Sequence, residues 1–245
     1  MTVITAIILI ILTFIQSIFG VGLLIFGTPT FMLMGYSYSE TLSILLPISC
    51  SVSLIQITTS KKSNIDKFLK NFCKFSLPAV ILSLPFALLY ISKNNINLII
   101  SLIMIIISLL SIANSKYILK LIYPPFNLKV SLIISGYAHG LTNLGGGFIS
   151  IISSMLYVKD KIQIRYAIAA AYLIFGLTQI SILIFLNNFF LNEIFLCFVL
   201  LTPLIFCFSV FVFKQISINN FSKYIYVIVL VYGLIIFFKN IIIVF

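Results

Sequence analysis

The 245-residue chain has no tryptophan, a single histidine, and only four acidic residues, Glu40, Asp66, Asp160 and Glu193. Charged side chains make up 8% of it, against roughly a quarter in soluble domains, so a water-soluble globule is excluded for want of polar surface. None of the four acids lies in the middle of an apolar run, which argues against a cation carrier and against a carboxylate proton relay. HExxH, GxSxG, P-loop and paired-acid signatures are all missing, so the chain does not read as an enzyme and no cofactor is implied. The cysteines, Cys50, Cys73, Cys197 and Cys207, sit in or beside apolar segments without CxxC or Cys/His spacing; neither a metal site nor a disulfide framework is supported. No Lys or Arg precedes Lys61, so the charged n-region of a cleavable signal is missing and the first apolar run is expected to be retained.

What is present is hydrocarbon. Hydrophobic residues make up 62% of the chain, and a lipid bilayer is its solvent. Apolar runs fall at about 2–34, 40–59, 75–92, 95–114, 130–157, 163–187, 193–213 and 222–243. The net charge of +11 does not form a patch for nucleic acid; the basic residues punctuate the apolar runs as loops do. The reading is a single integral domain, 1–245, of the all-α polytopic class with seven or eight transmembrane segments.

Segments one and five are too long for a simple crossing, and both are broken by glycine: Gly20, Gly22 and Gly27 in the first, Gly145-Gly146-Gly147 in the fifth. A straight helix of 28 residues spans about 42 Å against a hydrocarbon core of roughly 30 Å. If all eight segments cross, Lys and Arg divide nine to six between the two sides. If the two broken segments re-enter as hairpins, the basic loops 60–74, 115–129, 159–165 and 214–223 share one side and the division is thirteen to two. The positive-inside rule prefers the second arrangement, a multi-pass protein with six full crossings and those loops cytoplasmic. The sequence leaves open whether the broken segments re-enter or fully cross.

An offset of 123 residues aligns the two broken segments. It also places Leu54-Ile55-Gln56-Ile57-Thr58 on Leu177-Thr178-Gln179-Ile180-Ser181, Gln16 on His139 and Gly22 on Gly145. The expectation is two inverted repeats, about 1–115 and 124–245, each a re-entrant helical hairpin plus three spanning helices.

Broken helices in a membrane are tolerated where the backbone is buried in protein or lines a cavity, and a half-helix N-terminus offers unpaired N–H groups to an anion. The candidate substrate-binding residues are therefore Gly20, Gly22 and Thr28 in the first hairpin, and His139, Asn143, Gly145, Gly146 and Gly147 in the second, where a half-helix is expected to start near Gly147; the other reading of the glycines is close helix packing. Gln56 and Gln179 either donate to an anion oxygen or bond neighbouring helices or the exposed backbone of the hairpins. His139 either serves substrate or a proton, or bonds a backbone carbonyl. Arg165 either binds the anion at the basic mouth or snorkels to the interface.

The glycine-rich motif, Gly20-Val21-Gly22 with Pro29 in one half and Asn143-Leu144-Gly145-Gly146-Gly147 in the other, resembles that of the TauE/SafE sulfite-exporter (TSUP) family. The chain departs from the pattern at Leu23, Leu24, Asn143 and Ile152. The resemblance implies a permease of a bacterial inner (plasma) membrane for small sulfur-containing anions such as sulfite, thiosulfate or organosulfonates. The expected function is a secondary transporter working by alternating access, with an anion channel and a non-transporting membrane scaffold as the other readings. Its partners are the anion and membrane lipid; coupling ion, direction and oligomeric state are not legible.

Overall fold

The computed structural model describes residues 3–60, 65–91, 93–112, 128–157, 160–190, 193–215, 227 and 229–238, and all regular structure among them is helical. In chain order the helices are α1 Val3–Phe19, α2 Leu23–Leu33, α3 Tyr38–Thr59, α4 Asp66–Tyr90, α5 Lys93–Ile112, α6 Leu128–Thr142, α7 Gly145–Leu156, α8 Lys161–Phe185, α9 Glu193–Gln215 and α10 Val229–Phe238. The basic-loop positions 61–64, 113–127, 158–159 and 216–226 lie outside the described residues. Four helices there are long and apolar enough to cross a bilayer: α3, α4, α8 and, from Cys197, α9. The protein is thus a polytopic helical membrane protein. Segment 95–114, expected to span, is the 20-residue α5; of segment 222–243 only the short α10 and residue 227 are described.

Both long broken segments are helix–break–helix units. Gly20, whose N–H closes the last turn of α1 on the Gln16 carbonyl at 2.7 Å, has φ +76°, and Gly22 has φ +140°. A Cβ at Gly22 would lie 2.5 Å from Ile15, so both backbone conformation and space require glycine there. At the second break the left-handed position is Asn143, φ 64°, one of the few side chains that tolerates it. The half-helix α7 begins at Gly145, two residues earlier than expected, because the whole glycine triplet is wound into its first turn.

Elsewhere local chemistry sets the boundaries. α2 ends in a Schellman motif around Gly35, with Tyr36 N–H on the Phe31 carbonyl, Gly35 N–H on Met32, and the two rings packed at 5.2 Å. Two residues later Ser37 and Glu40 form a capping box that starts α3. Asp160 caps α8 by accepting from the N–H groups of Ile162 and Gln163, and Asn187, φ 54°, closes its far end.

Packing contacts give the helix directions. Along α1 and α3, Leu12 meets Leu45 across Gly27, Gln16 meets Ser49, and Ser17 meets Gln56, so the two run the same way. α6 runs with α4: the Ser76 hydroxyl donates to the Leu132 carbonyl at 2.8 Å, Gly136 packs on Ser76 and Ala79, and Gly140 on Ser83 and Leu84. These glycines bring two backbones into contact in the small-xxx-small manner of membrane helices. α8 opposes α3, since Gly176 packs on Cys50 while Phe190, beyond the α8 C-terminus, donates to Ser43 near the α3 N-terminus.

The starts of α4, α6 and α8 therefore share one end of the molecule with the end of α3. The ends of α7 and α9 join them there, through Phe68 against Tyr157 and through the Lys161 ammonium donating to the Phe213 carbonyl. The α6–α7 unit enters and leaves at this end; the α1–α2 unit starts and finishes at the other. Between them a core of Leu23, Leu24, Leu42, Leu45, Leu46, Tyr172 and Phe175 is buried, whereas Ile81, Leu82, Phe86 and Leu89 on α4 and Leu200, Leu204, Phe208 and Phe211 on α9 stay exposed in the manner of lipid-facing surface.

Candidate functional site

The two helix–break–helix units meet. Asn143 donates its Nδ2–H to Thr28 Oγ1 at 3.0 Å, both residues fully buried, so the second break is tied to the middle of α2. Neither α2 nor α7 has a side-chain cap: Gly22 and Leu144, the N-cap residues, make no capping hydrogen bond. Two buried helix N-termini thus keep first-turn N–H groups free of side-chain acceptors, with the partial positive charge of each helix end beside them. The glycines beneath are packing surfaces. A Cβ on Gly145 would collide with the Ser135 carbonyl, and one on Gly146 with the Tyr172 ring and hydroxyl. Ser135 also donates to the Gly145 carbonyl at 3.0 Å, while Gly147 N–H turns back to Leu144 at 3.0 Å.

Each glutamine holds the end of a limb. Gln56 Nε2 donates to the carbonyls of Gln16 and Ser17 at 3.0 Å each, satisfying the last turn of α1. Gln179 Nε2 reaches the carbonyl of His139 in the last turn of α6 at 3.4 Å. Donor and acceptor in the second bond each lie 123 residues beyond their counterparts in the first, so the offset seen in the sequence recurs as the same contact. With the amide nitrogens engaged, the atoms left over are the acceptors Gln56 Oε1 and Gln179 Oε1, both buried and without a hydrogen-bond partner among the described residues.

Gln16 and His139 occupy equivalent places with different chemistry. Gln16 is absorbed by α3, its Nε2 donating to Ser49 Oγ at 2.8 Å and to the Ser49 carbonyl at 3.2 Å. His139 instead stacks on Phe175, ring centroids 4.0 Å apart and planes 15° from parallel, with Tyr172 edge-on at 6.1 Å. Neither imidazole nitrogen makes a full hydrogen bond to a described residue; the Gln179 side chain is the polar group close enough to act on it.

Arg165 does not snorkel. It is 8% exposed, its guanidinium carbon lies 3.8 Å above the Phe213 ring, and its Cγ is 3.5 Å from where a Cβ of Gly20 would stand. The first break therefore faces an arginine. Phe213, Phe175, Tyr172, Ser49 and Ser53 belong to this environment but carry no motif that sets them apart in an apolar chain.

All eleven candidate residues lie in or against the two breaks, in two groups. Gly20, Gly22, Gln56 and Arg165 surround the first; His139, Asn143, Gly145, Gly146, Gly147 and Gln179 surround the second, and Thr28 links them. What the arrangement can do follows from its unpaired atoms. Amide oxygens of Gln56, Gln179 and Asn143, both imidazole nitrogens, and Nε and Nη1 of Arg165 are buried without partners among the described residues. Such groups are costly to bury unsatisfied, so a concentration of them marks a place for a polar solute or water.

No curated protein and no solved structure matches the chain. The family model described as "Sulfite exporter TauE/SafE" matches residues 4–238, nearly the whole length. The chain therefore belongs to the TauE/SafE sulfite exporter family, a family of membrane transporters of sulfur anions.

Proposed function

We propose that the protein is a secondary transporter of a small sulfur oxyanion, sulfite, thiosulfate or an organosulfonate, working by alternating access in the inner membrane. Residues 1–115 and 124–245 are two inverted copies of one unit, and the basic segments at the shared helix ends are cytoplasmic. The observation that carries the reading is the pair of uncapped, buried helix N-termini at glycine breaks, entering from opposite ends and joined by Asn143 and Thr28. Backbone N–H groups near Gly22 and at Gly145 and Gly146 hold the anion. Gln56 and Gln179 are positioning residues that fix the limb ends, while His139 and Asn143 line the path.

A carrier and a channel built on the same dipoles differ in one measurable way. In proteoliposomes a carrier exchanges labelled sulfite for internal sulfite, with saturation and acceleration by substrate on the far side. That behaviour is expected. Flux linear in concentration and indifferent to internal sulfite selects the channel, and no flux or binding of any sulfur anion leaves only a scaffold.

A further inference from the structure

A buried guanidinium needs hydrogen-bond acceptors, an anion being the strongest, and the described structure supplies no carboxylate to it. Arg165 is more than nine-tenths buried, and its Nε and Nη1 have no partner among the described residues. The carboxylate nearest in sequence, Asp160, already accepts from the Ile162 and Gln163 N–H groups as the cap of α8. Lys161, one turn back, lies over the same Phe213 ring at 4.8 Å and donates to the Phe213 carbonyl at 3.3 Å. Stacking on Phe213 fixes the plane of the guanidinium and restricts its rotation. A planar fork held in place by a ring, on a side chain whose stem packs against Gly20 of the first break, suits an oxyanion with two oxygens to offer.

The first half of the chain has no counterpart for this residue. The position 123 residues earlier is Leu42, fully buried in the apolar core. Both breaks turn on a left-handed residue, Gly20 and Asn143 at the 123-residue offset, but they differ by one formal charge. Resting on the anion-transport reading, we propose that Arg165 is the charged ligand of the transported oxyanion. It holds the anion against the first break, at the end of the molecule where Lys67, Lys70, Lys129, Lys161 and Lys214 lie, while the second break handles it with neutral groups alone.

The test is sulfite binding to the purified full chain by thermal shift, for wild type, Arg165→Met and Arg165→Lys, with chloride as control. A ligand that binds the native state raises its melting temperature according to occupancy. Arg165→Met is expected to weaken sulfite binding about 10- to 100-fold, the range of a charged hydrogen-bond pair. Its melting temperature without anion stays equal or rises, because an uncompensated buried charge is gone. Arg165→Lys keeps the charge but not the fork and falls between the two; it carries the test if the methionine variant does not fold. Wild-type affinity in the folded methionine variant, or, where only the lysine variant folds, wild-type affinity in it, overturns the proposal and leaves anion transport standing. A lower melting temperature without anion and unchanged affinity assigns Arg165 to structure instead. Failure of the wild type to bind any sulfur anion overturns both.

Discussion

Asn143 Nδ2 lies 3.0 Å from Thr28 Oγ1, and this one bond joins the two glycine-broken units across 115 residues of sequence. Asn143 does two things there. It adopts the left-handed backbone that ends α6, and it directs its amide into α2 from the same strained position. Glycine in its place keeps the turn but loses the link; alanine loses both.

Separating those roles gives the first prediction. Thr28→Val leaves the Asn143 amide buried without an acceptor and is expected to cost about 1–3 kcal/mol. Asn143→Gly removes the buried amide together with its need for an acceptor, and costs less than Asn143→Ala, which adds left-handed strain of about 1–2 kcal/mol. Melting temperatures of the three variants in detergent check the order. A double variant, Thr28→Val with Asn143→Gly, loses less than the sum of the singles if the bond is the shared cause.

The glutamines supply a graded pair. Gln56 satisfies two carbonyls at 3.0 Å, Gln179 one at 3.4 Å, both from full burial. Gln56→Ala is expected to lose about 1–3 kcal/mol, chiefly by leaving the Ser17 carbonyl without a donor, and Gln179→Ala less, because the His139 carbonyl keeps the Asn143 N–H at 2.7 Å just as Gln16 keeps that of Gly20. If both melt as wild type does, the carbonyls are solvated and the glutamines do not position the limbs.

How much of this was legible in the sequence depends on the range of the interaction. The two breaks were legible because each apolar run is too long to cross the bilayer as one straight helix and carries glycines in its interior, the residues at which a helix is most easily interrupted. The recurrence of Gln56 at Gln179 marked equivalent places in the two halves. The finer geometry was not legible. Nothing local distinguishes a glutamine that donates to a solute from one that caps a neighbouring helix, since both need a buried amide on one face. The burial of Arg165 depends on Phe213, forty-eight residues away and one of 24 phenylalanines in the chain. An arginine at a segment edge reads as a snorkelling anchor until its ring partner is seen.

Glycine substitutions separate space from backbone. At Gly146 a methyl group would overlap the Tyr172 ring and its hydroxyl, so Gly146→Ala forces α7 and α8 apart. Overpacking of this kind costs about 1–3 kcal/mol or more. At Gly35 a Cβ would meet nothing within 4 Å, and only φ +106° opposes a side chain. Gly35→Ala is expected to melt about as the backbone term alone dictates and to keep sulfite exchange, whereas Gly146→Ala loses exchange even where it folds.

Placement of the basic end can be read chemically. Thr59 is exposed at the end of α3 where α4, α6 and α8 start, and Met34, 39% exposed, sits at the opposite end, where α2 turns into α3. On a background with Cys50, Cys73, Cys197 and Cys207 replaced by serine, Thr59→Cys and Met34→Cys give one thiol at each end. Excess Lys and Arg hold a segment on the cytoplasmic side because translocating them is opposed by the membrane potential and by their hydration. A membrane-impermeant maleimide applied to intact cells is therefore expected to label Met34→Cys and to spare Thr59→Cys until the membrane is permeabilised. The reverse pattern inverts the topology and puts Arg165 at the outer mouth. Labelling of both in intact cells means that the two positions share a side, and an α3 that fails to cross cannot carry two units entering from opposite faces.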